Sequence, residues 1–174
     1  NLMKLVTAGY LEGFYYRPRI DMDLLREYSE GLICMSACLK GVVPEKMLKG
    51  DYEGARKEAL LFSEIFQDRY YLEIQNHGIP EEEQNLKNMK KLSQDLNLPL
   101  VCTNDAHYAK KEHWEAHDIH ICLGTGKERS DPNRLRYATP EFYFKTQDEM
   151  NKLFKEFPGA IENTRKIADS IDIT

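Results

Sequence analysis

The feature that most limits the folds open to this chain is a regular alternation of short apolar runs with longer amphipathic stretches. Residues 31–38, 69–75 and 98–104 are brief runs rich in apolar, β-branched or aromatic side chains, each bounded by glycine, proline or asparagine. Between them, residues 51–66 carry Tyr52, Ala55, Ala59, Phe62 and Phe66 on one stripe. Residues 80–96 repeat that spacing with Leu86, Met89, Leu92 and Leu96. Strands separated by helices pair in parallel through crossovers, because a hairpin turn cannot span a helix. The predicted class is therefore α/β, with parallel strands, helical crossovers and the three strand exits on one edge. Sites in such folds collect at that edge, whether the sheet is open or closed into a barrel.

Each exit carries a chemically capable residue. The first run ends at Cys38, the second is followed by His77, and the third continues as Thr103-Asn104-Asp105-Ala106-His107. An extended backbone puts Asp105 and His107 on the same side. A carboxylate beside an imidazole suits Zn, Mn or Fe, and it suits proton transfer equally well. With Cys38 added, the set of thiolate, carboxylate and imidazole matches zinc and leaves room for water. The competing reading makes Cys38 an inert buried thiol and Asp105 with His107 a hydrogen-bonded pair closing a turn. Spacing leaves both open.

Other candidates are weaker. His113, His117 and His120 follow steps of four and three on a helix predicted over residues 111–123, but His117 shares a stripe with Trp114 and Ile121, so packed histidines are expected. Asp21 and Asp23 resemble a two-metal carboxylate pair, yet directly before Leu24 they suit a helix N-terminus. Gly124-Thr125-Gly126-Lys127 lacks the strand and the spacing of a phosphate loop. A Cys38–His107 hydrolase has no evident oxyanion-hole loop, and Ser36 lacks a Gly-x-Ser-x-Gly setting.

The remaining segments read as architecture. A short helix is predicted within residues 1–13, an irregular aromatic and basic loop over 14–20, and a short strand over 142–144. Thr146 with Glu149 forms a capping box for a helix ending near Phe157, and Pro158 opens a last helix through Ile171. The 174 residues suffice for one domain, 1–174, and the net charge of -5 argues against a basic nucleic-acid coat. No apolar run reaches the ~18 residues that span a bilayer. Four cysteines without a Cys-x-x-Cys pair fit a reducing, cytoplasmic setting. A chain that opens on Asn1 reads as a piece of a larger protein.

Several stretches together resemble a known family. They are Gly31-Leu-Ile-Cys-Met-Ser-Ala-Cys38-Leu, Tyr71-Leu-Glu-Ile-Gln-Asn-His77-Gly, Pro99-Leu-Val-Cys-Thr-Asn-Asp105-Ala-His107-Tyr, Glu115-Ala-His117-Asp118 with Leu123-Gly-Thr-Gly126-Lys, and Glu162-Asn-Thr-Arg-Lys-Ile-Ala168. In register over nearly the whole chain, they look like the PHP (polymerase and histidinol phosphatase) domain of the bacterial DNA polymerase III alpha subunit. The resemblance implies a distorted, TIM-like seven-stranded βα barrel whose strand ends hold up to three ions of zinc or manganese. It maps Cys38, Asp105 and His107 onto family ligands, with His77 as a neighbour of the site. The family's other ligands, beginning with a His-x-His on the first strand, have no counterpart in these residues. The resemblance therefore implies an N-terminally incomplete PHP domain from a larger polymerase chain, with a partial or empty site and no activity by itself. For the parent it implies a DNA-directed DNA polymerase of replication, a nucleotidyltransferase whose PHP domain acts as a metal-dependent phosphoesterase in 3′ to 5′ exonuclease proofreading or as structural support. The alternatives are a non-catalytic scaffold docking replicase partners and a free-standing phosphoesterase related to histidinol phosphatase. Its partners would be DNA, through the parent polymerase, and other replicase subunits, with no membrane.

Overall fold

A computed structural model describes residues 1–172. Helices α1 (Leu2–Leu11) and α2 (Met22–Glu27) precede strand β1 (Cys34–Met35). Helices α3 (Val42–Leu48) and α4 (Tyr52–Phe66) lead to β2 (Tyr70–Ile74), and α5 (Pro80–Leu96) leads to β3 (Leu100–Cys102). Three further helices follow, α6 (Trp114–Thr125), α7 (Gln147–Leu153) and α8 (Ala160–Asp169). The sheet has the order β1-β2-β3 and is parallel throughout, with Cys34 opposite Tyr70 and Leu72 opposite Leu100. The parallel α/β reading from sequence thus holds, and all three strand exits share one edge.

Helix starts follow their capping chemistry. Asp21 accepts the Leu24 amide at 2.9 Å, which makes it the cap of α2 rather than half of a metal pair. Asp51 accepts the Gly54 amide at 2.9 Å, and a Cβ at Gly54 would lie 2.0 Å from that carboxylate, so a larger residue there would displace the cap. Thr146 and Glu149 form the expected capping box at α7. That helix ends at Leu153, earlier than Phe157, because Phe157 instead closes a separate turn onto Phe154.

Three expectations fail in detail. The run over residues 31–38 is a strand only at Cys34–Met35, because Ala37 takes a positive φ of 63° and turns the chain away. Pro158 does not open the last helix, which starts at Ala160 after Gly159 at a left-handed φ of 84° and ends at Asp169, short of Ile171. The strand expected over 142–144 reduces to a single parallel bridge between Tyr108 and Tyr143.

The core lies on one face of the sheet. Tyr70, Leu72 and Ile74 of β2 meet Leu100 and Cys102 of β3, roofed by Ala55, Ala59 and Phe66 of α4 and by Leu86, Met89 and Leu92 of α5. The leucine, isoleucine, methionine and phenylalanine side chains among them each stabilise the fold by about 1.5–3 kcal/mol when fully buried. The opposite face carries the polar side chains of Glu73, Gln75 and Thr103, which hydrogen-bond one another. Beyond β1, an open apolar groove of ≈ 470 Å³ is lined by Leu2, Val6, Tyr10, Ile20 and Met35 among others. No helix among the described residues is long and apolar enough to cross a membrane.

Candidate functional site at the strand exits

The β3 exit carries the candidate pair. Asp105 takes an unusual φ of 22°, which turns its carboxylate back toward His107, and Oδ1 stands 3.2 Å from His107 Nε2. A non-glycine residue at positive φ costs on the order of 1 kcal/mol, so the surrounding bonds must impose it. They are identifiable. His107 N–H donates to the Phe142 carbonyl at 2.8 Å, and the Asn104 amide donates to the Tyr143 carbonyl at 3.0 Å. The two side chains of the pair stay 34% and 45% exposed, His107 being the less accessible, so the pair faces solvent.

Aromatic groups bracket the imidazole. The Tyr137 hydroxyl lies 3.0 Å from His107 Nε2 and 3.1 Å from Nδ1, and the His117 ring is centred 5.9 Å away. Burial, followed by the nearby charges of His107 and His120, lowers the pKa of His117 and favours its neutral form. Its Nδ1 is buried and has no hydrogen-bond partner among the described residues. Burial and the Asp105 charge raise the Tyr137 phenol, which therefore remains a donor at neutral pH. The expectation of packed histidines on the 111–123 segment is met by His117 alone. His113 sits in a 3-10 turn before α6, and both His113 and His120 are exposed.

The β2 exit is different in kind. His77 is buried and both oxygens of Glu82 serve it: Oε2 accepts its main-chain N–H at 2.6 Å, and Oε1 lies 2.7 Å from Nδ1. Burial opposes the charged Glu82 carboxylate, but the hydrogen bonds from His77 outweigh it and hold its pKa below the ordinary glutamate value. His77 stacks flat on Phe142 with centroids 4.1 Å apart, and the Thr139 hydroxyl donates to its carbonyl at 2.6 Å. The edge of Phe142 meets His107 at 5.9 Å, so that ring links His77 to the Asp105–His107 pair.

The β1 exit holds Cys38 in a tight turn closed by the Gly41 amide on the Cys38 carbonyl at 2.8 Å. A Cβ at Gly41 would come 2.1 Å from the Ser36 carbonyl, so the turn depends on glycine there. The Cys38 thiol is exposed, which removes the reading of an inert buried thiol, and it makes no hydrogen bond among the described residues. Cys34 and Cys102 are the thiols that burial pushes up, each to about 11, and they stay protonated.

The geometry therefore supplies one solvent-facing carboxylate–imidazole pair at the β3 exit and, beyond the intervening β2 exit, one exposed thiol after β1. Among the described residues, no three His, Cys, Asp or Glu side chains converge closely enough to hold an ion. Zinc sites take three or four protein ligands, so these residues do not complete such a site by themselves. Sequence reasoning did not single out Glu82, Tyr137, Phe142 or Lys145. Glu82 was the most accessible of them, five residues after His77 in the first turn of a predicted helix. Tyr137 lies in a stretch without periodicity, where nothing announces its partner.

A PHP domain family model matches residues 1–77. The chain is 49% identical over 172 residues to DNA polymerase III subunit alpha of Borreliella burgdorferi, covering 99% of this chain and 15% of that protein. It is 44% identical over 174 residues to the same subunit of Treponema pallidum, with the same coverage of 99% and 15%. The corresponding protein of Thermus aquaticus is 38% identical over 176 residues, covering 99% of this chain and 14% of the relative. The chain thus spans about 15% of the length of the curated relatives it matches. Residues 1–77 match the PHP domain, and over nearly all of its length the chain is homologous to a segment of DNA polymerase III subunit alpha.

Proposed function

We propose that the chain serves as a PHP-domain segment of a replicative DNA polymerase and contributes Asp105, His107 and Cys38 to a zinc or manganese cluster of up to three ions. The observation that carries this reading is the Asp105–His107 contact at 3.2 Å, solvent-facing and held by a strained turn at a parallel strand exit. Such a pair supplies one anionic and one neutral donor, and the exposed thiol of Cys38 supplies a soft one. The remaining donors would come from other parts of the polymerase. The edge of β1, unpaired among the described residues and beside its apolar groove, supports continuation of the sheet into a distorted seven-stranded barrel. Phosphodiester hydrolysis in 3′ to 5′ proofreading is the activity proposed for the completed cluster, with DNA and other replicase subunits as partners in the cytoplasm.

A second reading is favoured by one specific observation. His107 is already engaged by Asp105 and Tyr137, and no third donor converges among the described residues. On this reading the segment is a non-catalytic support for the polymerase. Metal content and exonuclease activity of the intact polymerase, measured for wild type, D105N and H107Q, separate the two. Loss of bound metal and of nuclease in both variants supports the cluster. Unchanged metal content in both variants overturns it and leaves the support role.

A further inference from the structure

Lys145 is the anomaly of the strand-exit edge. Its side chain is 4% exposed, yet its nearest carboxylate oxygen, Oε2 of Glu141, is 3.9 Å away. An ammonium taken out of water is costly unless it is paired or hydrogen-bonded. Here it donates to the Glu141 carbonyl and, at 3.3 Å, to Oδ1 of Asn104, and it lies over the Tyr143 ring at 4.5 Å. The other end of the same Asn104 amide donates to the Tyr143 carbonyl. Both ends of Asn104 are therefore fixed by residues 143–145, and the next residue in the chain is Asp105.

We propose that Lys145 is a positioning residue for the Asp105–His107 pair, acting through the side chain of Asn104. Asp105 stands at a φ that costs energy, and its neighbours must hold it there. Asn104 is clamped on its amino-terminal side, and His107 is held by its amide on Phe142 on the carboxy-terminal side. With both flanks fixed, the carboxylate points at the imidazole. Without the ammonium, the Asn104 amide oxygen loses the one side-chain donor it has among the described residues, the amide is free to rotate, and the strained turn relaxes. Lys145 does not touch either member of the pair, so its effect is geometric. The proposal rests on the reading of Asp105 and His107 as donors only for its purpose, since the geometry is measured without metal.

Crystal structures of the intact polymerase, prepared free of metal and carrying K145M or N104A, test it, with K152M on α7 as the exposed-lysine control. In K145M and in N104A, we expect Asp105 to leave positive φ and its separation from His107 to open from 3.2 Å to beyond ~4 Å, the limit of an ion pair. K152M should keep the wild-type turn. If K145M keeps both the positive φ and the 3.2 Å contact, the proposal is overturned. Should K145M fail to fold, K145Q decides together with N104A. An amide donor at position 145 should preserve the turn while N104A loses it, and a preserved turn in N104A overturns the assignment. Failure of the donor reading itself would register elsewhere, as unchanged metal content of the D105N polymerase, and leaves these distances untouched.

Discussion

Two carboxylate–histidine pairs stand on adjacent strand exits and behave as opposites. Glu82 and His77 are both buried, both carboxylate oxygens are used by one residue, and an aromatic ring seals the imidazole. Asp105 and His107 are solvent-facing, joined by a single 3.2 Å contact and held by a turn under strain. The same two functional groups thus make a rivet at one exit and an available donor pair at the next. What separates them is burial and the number of bonds per oxygen, which proximity in sequence does not report.

The sharpest way to break this comparison is to remove the ring that lies between the pairs. Phe142 is 5% exposed and touches His77, His107 and Tyr137, so F142A should cost about 3–5 kcal/mol in urea unfolding. A cost below about 1 kcal/mol would mean that the ring is not the keystone of this edge. Next in size, E82A strips the acceptors from two buried His77 donors and should cost about 3 kcal/mol, most of it from leaving those groups unpaired. H77F, which removes the ring donor and keeps the stack, should be milder than E82A. The reverse order would shift the weight of the rivet from Glu82 to His77.

Acidification sharpens the contrast. Because folding depresses the Glu82 pKa, the stability it brings is present above the ordinary glutamate value and is lost as pH falls through its folded value. The unfolded chain binds the extra proton in that window, so unfolding free energy should drop on the acid side. E82Q should flatten that drop, and an unaltered acid profile would remove Glu82 from its cause. The smallest effect is expected at the open pair, where D105N should change stability by no more than ~0.5 kcal/mol, as exposed pairs do. A loss above about 2 kcal/mol in D105N would make the β3 exit a second rivet and erase the distinction.

Much of this arrangement was legible from residue order. The stripes of α4 and α5, the Asp21 and Asp51 caps and the Thr146–Glu149 box are local signals with local causes, and they survive folding. The spacing of Asp105 and His107 also gave their contact, although the backbone reaches it by a positive φ rather than by the extended alternation that suggested it. Illegible features were the long-range ones. Nothing near residue 33 tells that the strand will stop at Met35, because Ser36 is held from afar by the Tyr71 carbonyl and the Glu73 amide of β2 while Ala37 turns the chain aside. Nor does any period link residues 137–145 to the strand exits, since that segment follows β3 in the chain and returns through backbone bonds to residues 107 and 108.

The parallel register has a kinetic corollary. Cys34 meets Tyr70 and Leu72 meets Leu100, so neither ladder can begin from a neighbouring turn, and each waits for a whole helical connection to close. Asp105 and His107 are close in the chain, but the bonds that impose their turn come from residues 142–145, so nearness in sequence does not spare them the search. During refolding, the acid–imidazole contact should therefore lock only when that later segment returns to the β3 exit.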